Sequence, residues 1–124
     1  MILIMNNKTI GSMGEKLAQE YLKKFGFTIL ETNYRYSKIS EIDIIAVKKD
    51  VLHFVEVKTR SSSNFGTPFE AITKAKLTSI YNCSKYYLSQ SKKHYIKTQI
   101  DAISIILNHE TEPQIEFIEN ISLN

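Results

Sequence analysis

The chain has 124 residues, 43% of them hydrophobic, and 16 Lys and Arg against 13 Asp and Glu give a formal net charge of +3. That length fits one domain able to bury a core without staples, and the composition is ordinary for a soluble globular protein. A single cysteine, Cys83, excludes an internal disulfide and any multi-cysteine zinc site and suits a reducing cytoplasm. The opening "MILIM" is apolar but far shorter than a signal-peptide core or a membrane span, so a cytoplasmic protein without a membrane segment is expected.

In "SMGEKLAQEYLKKFGF" the apolar residues Leu17, Ala18, Tyr21, Leu22 and Phe25 follow the spacing of one helix face, and Gly26 supplies the stop. Ser12 and Glu15 have the S-x-x-E spacing of a capping box, a purely structural account of Glu15. Residues 27–36, "FTILETNYRY", are rich in β-branched and aromatic side chains and predict a strand leading into a turn over Ser37 to Ser40. "EIDIIAVKKDVLHFVEVKTR" predicts two strands broken at Lys48, Lys49 and Asp50, short enough for a hairpin. A loop, "SSSNFGTPFE", follows with Gly66 and Pro68 as breakers. A second helix is expected from an N-cap at Thr73 to about Gln90, with Leu77, Ile80, Tyr81, Ser84, Tyr87 and Leu88 facing inward. "IDAISIIL" and "QIEFIEN" predict two more strands around a turn at Asn108 to Pro113.

Charge is segregated along the chain. Between Ala71 and Ile100 stand Lys74, Lys76, Lys85, Lys92, Lys93 and Lys97 and no acid, interleaved with Tyr81, Tyr86, Tyr87, His94 and Tyr95. From Asp101 onward there are acids and no Lys or Arg. The mixture of cations and aromatic rings suits a phosphate backbone with some stacking, and equally a solvated basic helix face with tyrosines packed inward.

The charges that break the strand pattern are Glu56 and Lys58 in "VLHFVEVKTR", which alternation puts on one face. If Lys49 and Asp50 form a two-residue turn, Asp43 comes opposite Glu56 and Glu41 opposite Lys58, with opposed Cβ atoms roughly 4.5–5.5 Å apart. Two facing carboxylates repel, so a shared proton, Lys58 or a divalent cation must compensate. Carboxylates, a cation and a lysine are the parts that aqueous phosphodiester cleavage needs. The competing reading is an exposed ion pair on a half-solvated hairpin, and a one-residue slip would send Asp43 to the other face. His53, His94 and His109 have no metal-like spacing, and His53 faces away from the acids.

Together "GSMGEKLAQEYLKKFGFTILETNYRY", "EIDIIA", "FVEVKTR" and "FGTPFEAITKAK" resemble the YraN family of bacterial proteins, a Holliday-junction-resolvase-like branch of the PD-(D/E)XK nuclease superfamily, over about residues 11–120. The resemblance implies one nuclease-like domain over 1–124: an α/β fold with a restriction-endonuclease-like αβββαβ core, its mixed central sheet flanked by helices. Carried over by position, Asp43 and Glu56 would be metal ligands, Lys58 the catalytic lysine, and Glu15 an additional acid reaching the metal directly or through water. Lys76 would bind a substrate phosphate, with Lys74, Arg35 and Arg60 as further nucleic-acid contacts and Thr59 beside the site. A surface pairing of Arg35 with Glu31 or Glu41 accounts for it as easily. Asp101 matches a family aspartate with a hydrogen-bonding or a catalytic role, and Glu41 belongs to a G-E-I-D pattern whose usual glycines are replaced by Ile39 and Ser40.

The function implied is a Mg²⁺- or Mn²⁺-dependent endonuclease or exonuclease acting on DNA ahead of RNA, with branched or structured DNA as the suggested substrate. The alternatives are a nucleic-acid-binding module that keeps the fold without cleaving, and a protein-interaction subunit. Resolvase-like enzymes often act as homodimers, although no dimer seam is visible in the sequence.

Overall fold

The segment that reads most strongly as a strand is also the most buried, because it lies inside the sheet and is covered on both faces. In the computed structural model, which describes residues 7–61, 72–108 and 110–121, the elements are α1 (Asn7–Lys24), β1 (Thr28–Ser37), β2 (Ser40–Lys48), β3 (Val51–Arg60), α2 (Lys74–Gln90), β4 (Lys97–Ile106) and β5 (Gln114–Ile118). One mixed sheet runs in the order β1-β2-β3-β4-β5, with β3 and β4 parallel and the other neighbours antiparallel. The expected α/β architecture with an αβββαβ core and a flanked mixed sheet is the one present, compatible with a restriction-endonuclease-like core. Two apolar clusters sandwich the sheet. Ala18 and Leu22 of α1 pack on Val55, Val57 and Ile103, whereas Ile80 and Cys83 of α2 pack on Ile42, Ile45, Leu52 and Phe54. Leu52 to Val57 are consequently all buried, the signature of a strand with both faces covered.

The hairpin register is the one predicted. Lys48 pairs with Val51 and the frame continues to Ile44 opposite Val55. Lys49 and Asp50 both have positive φ, 51° and 63°, the signature of a type I′ turn, whose twist matches the strands. Past Ile44 the strand turns: Ile42 packs on the α2 side although Ile44, two residues on, packs on the α1 side. Asp43 occupies that break.

Several expectations require correction. Ser12 and Glu15 do not cap α1, which begins at Asn7 and places both inside the helix. Ile10 packs on the α1-side core, and this tertiary contact outweighs a local cap worth ~1 kcal/mol. The C-terminal stop holds: Gly26 has φ 91°, its N–H donates to the Lys23 carbonyl and that of Phe27 to Leu22, a Schellman motif. Phe25, however, is 49% exposed, although its N–H still bonds the Tyr21 carbonyl in the last turn of the helix. In α2, Thr73 caps as expected, its hydroxyl accepting from the Lys76 N–H at 3.1 Å. Tyr81 points outward and Cys83 takes the buried position. β4 begins at Lys97, earlier than Ile100, because its parallel ladder with β3 starts at Val51 opposite Lys97. The loop with Gly66 and Pro68, and His109, lie outside the described residues.

Two contacts fix the layers. Asp101 is fully buried; its carboxylate meets His53 Nδ1 at 2.5 Å and accepts from Gln99 Nε2 at 2.8 Å and the Asn120 N–H at 2.9 Å. This is the hydrogen-bonding role weighed for it from the sequence. Gly14 lets α1 sit directly on β3, since a Cβ there would lie 1.8 Å from Thr59 Oγ1 and 2.7 Å from Thr59 Cβ. Replacing Gly14 by Ala therefore destabilises the protein by about 1–3 kcal/mol in urea unfolding, although alanine is the better helix former. An unchanged or raised midpoint would contradict this seating of α1.

Candidate active site

The close approach at Gly14 sets the position of the next residue, Glu15, which leaves α1 toward the break in β2. The β1–β2 ladder pairs Thr32 with Ile44 and Tyr34 with Ile42, so its frame puts Asn33 opposite Asp43. Asn33 has φ 51°, a left-handed conformation that asparagine tolerates better than most residues, and its side chain hydrogen-bonds Glu15. Asp43 accepts the Val57 N–H at 2.8 Å through Oδ2. The side chain thus takes a backbone donor of β3 where the pairing of β2 with β3 has ended.

Glu56 is 3% exposed, on the α2 side of the sheet. Lys58 Nζ lies 3.7 Å from its Oε1 and Lys76 Nζ 3.7 Å from its Oε2. The Thr73 cap fixes the turn of α2 from which Lys76 reaches back. Oε2 is buried without a hydrogen-bond partner. Glu15, Asp43 and Glu56 interact in series, with Asp43 in the middle.

Burial is the main cause that raises all three carboxyls above their ordinary values. For Glu15 the neighbouring Asp43 and Glu41 add to it, and for Asp43 the Val57 N–H and Lys76 pull the other way. Glu56 is pushed up to about 7 by desolvation and by Asp43, against the opposing pull of Lys76 and Lys58. Its hydrogen bond to Asp43 favours the protonated form of Glu56 and the ionised form of Asp43. A proton shared between the acids, together with two ammonium groups, offsets the repulsion expected of facing carboxylates.

Glu15, Asp43, Glu56, Lys58 and Lys76 are therefore brought together. Lys74, at the start of α2, is exposed, and the lysines that meet Glu56 are Lys58 and Lys76. Arg35 pairs with Glu41 at 2.8 Å, the surface account weighed for it, and so lies beside the acids without touching Glu56. Arg60 ends β3, where its carbonyl accepts the Leu107 N–H at 2.7 Å. The basic run divides: Lys76 joins the acids, whereas Lys93 reaches Asp50 at 3.6 Å in the hairpin turn and Lys97 stands opposite Val51, at the other end of β3. Asn33 and Gly14 were missed in the sequence; an asparagine inside a β-branched run was the available signal for the first.

Carboxylate oxygens at a buried, partly unsatisfied position suit a hard divalent cation. Among the described residues no three acidic, histidine or cysteine side chains are already drawn into a metal cage. Mg²⁺ needs none, since one or two carboxylates with water and substrate phosphate complete its shell. Asp43 and Glu56 meet that requirement, with Glu15 adjoining Asp43.

The αβββαβ core is an α/β architecture compatible with the restriction-endonuclease-like class. A profile of the uncharacterised protein family UPF0102 matches residues 14–105, and the chain belongs to this family, the YraN family that its motifs resemble. The UPF0102 protein of Clostridium acetobutylicum is 44% identical over 115 residues, covering 92% of this chain and 93% of the relative. That of Dictyoglomus thermophilum is 46% identical over 104 residues, covering 84% and 87%, and that of Rhodococcus opacus 38% over 115 residues, covering 93% and 97%. Among the described residues no helix is long and apolar enough to cross a membrane.

The raised Glu56 value has a signed consequence. A carboxyl that binds its proton more tightly when folded stabilises the protein below about pH 4.5, and this contribution is lost as pH rises through about 7. In EDTA, raising the pH from 5 to 8 should cost wild type on the order of 3 kcal/mol relative to Glu56→Gln. Parallel stability curves for the two proteins would show that Glu56 is not held protonated.

Proposed function

We propose that the protein is a Mg²⁺- or Mn²⁺-dependent nuclease that cleaves phosphodiester bonds in DNA, with branched or structured DNA as its substrate class, in the cytoplasm. The observation that carries this reading is the buried Glu56 carboxylate, one oxygen unpartnered, set between Asp43 and two lysines.

In this scheme Asp43 and Glu56 would hold the cation and Glu15 would support Asp43. The cation supplies Lewis-acid activation of water and of the scissile phosphate. Lys58, one-third exposed, can give up its contact with Glu56 to orient the attacking water or to neutralise charge growing on the phosphoryl oxygens. Lys76, equally exposed, meets a second phosphate oxygen. Asn33 keeps the Glu15 carboxylate turned into the site. Arg35, Arg60 and Lys74 contribute to backbone binding around this centre, and resolution of a four-way junction calls for two copies of the chain.

The two lysines on Glu56 support a second reading, a DNA-binding module that does not cleave, because ammonium groups can neutralise the carboxylate without metal. Purified protein incubated with linear, single-stranded and four-way-junction DNA in Mn²⁺ separates the two. The nuclease reading expects cleavage that falls at least ~100-fold in Asp43→Asn, Glu56→Gln and Lys58→Ala. Absence of cutting, with DNA retained equally in EDTA and released steeply by salt, would favour the binding module instead.

A further inference from the structure

The end of the sheet remote from Glu56 holds a second concentration of chemistry that the carboxylate site does not use. A cavity of about 420 Å³ opens there beneath the C-terminal end of α1, beside the hairpin turn. Its walls include Tyr21, Phe25, Phe27 and Phe117. These rings support one another: Phe27 and Phe117 meet edge to face at 5.7 Å, Tyr21 and Phe117 at 6.3 Å, and Tyr21 lies 4.7 Å from Phe25. Phe25 is half exposed, so its ring is free to cover a planar guest.

Two polar features make this more than an apolar hollow. His53 lines the cavity although its side chain is only 5% exposed, and its ring packs edge to face on Phe27 at 4.9 Å. Asp101 Oδ1 already accepts from Gln99 and the Asn120 N–H, while Oδ2 faces His53 Nδ1, so Nδ1 is engaged by the carboxylate and Nε2 is the ring nitrogen left over. The second feature is the charge of the lining, where two lysines outnumber one acid, Glu119. Lys48 stands 5.2 Å over the Phe27 ring, and Lys49 lines the same opening from a turn position with φ 51°, where glycine or asparagine is the favoured residue. A lysine in that conformation keeps a cation at the mouth at a conformational cost.

Aromatic walls, a fixed imidazole and lysines at the rim match a planar base that carries a phosphate. We propose that this cavity binds a nucleotide, its base among Phe25, Phe27 and Phe117 within reach of His53 Nε2, and its phosphate at Lys48 and Lys49. The ligand is either a free mononucleotide or the terminal residue of a strand. The cavity is independent of the carboxylate centre: Tyr21 and Phe25 lie about 9–15 Å along α1 from Glu15.

Titrating the protein in EDTA with AMP, ribose 5-phosphate and a 5′-phosphorylated single-stranded oligodeoxynucleotide tests this, with amide and aromatic NMR shifts as the readout. AMP or the oligonucleotide should shift signals of Phe25, Lys49, Gln99 and Phe117, and ribose 5-phosphate should bind at least tenfold more weakly. Tighter binding of AMP assigns a free nucleotide and tighter binding of the oligonucleotide a strand end. Phe25→Ala and Lys49→Gly should each weaken binding at least fivefold. Glycine suits the Lys49 backbone, so that variant should keep its melting temperature, separating lost binding from lost fold. If neither probe shifts these signals, or if both variants bind as wild type does, the proposal fails.

Discussion

The two-residue turn at Lys49 and Asp50 is the constraint on which the placement of the central acids rests. With Lys48 opposite Val51, the frame runs inward to Ile44 opposite Val55, and at the break that follows Asp43 reaches across to the Val57 N–H and to Glu56. A slip of one residue would put these side chains on opposite faces and expose the apolar set that packs against α1 and α2. Neither residue of the turn is glycine, so the register does not come from turn propensity alone. It is held by burial on both faces of β3, where a shift would disturb every residue from Leu52 to Val57.

Around that register the fold collects charge at a break in β2. Asp43 replaces a strand contact with its own carboxylate on the Val57 N–H, Glu15 arrives because Gly14 lets α1 touch β3, and Lys76 arrives because Thr73 caps α2. The result is a set of acids whose ionisation burial opposes, with lysines near enough to help but 3.7 Å from the Glu56 oxygens. Such an arrangement has a local electrostatic cost that packing elsewhere must offset, and costs of this kind concentrate at functional sites.

Much of this was legible in the sequence because the signals are local or periodic. The hairpin frame follows from strand alternation and a short polar turn, the α2 start from a threonine before a helical run, and Lys76 from motif resemblance. What was not legible depends on contacts between distant elements. The Ser12–Glu15 spacing suggested a cap, but a longer α1 with Ile10 on the core converted Glu15 into a neighbour of Asp43. Asn33 gained its role from a left-handed backbone in mid-strand, and Asp101 from His53, forty-eight residues away in the chain. The basic run looked like one surface, yet its lysines part toward opposite ends of the sheet, Lys76 on α2 beside Glu56 and Lys93, beyond the end of α2, beside Asp50 of the hairpin turn.

We propose that the Asp43–Glu56 pair holds a divalent cation. A crystal grown at saturating Mn²⁺ and neutral or higher pH, measured at an energy that reveals manganese by anomalous scattering, tests this directly. The expected result is an anomalous peak bonded to both Asp43 and Glu56, with Lys76 drawn away from Glu56 Oε2. A map without a peak there, with Glu56 still held between Lys58 and Lys76, would contradict it.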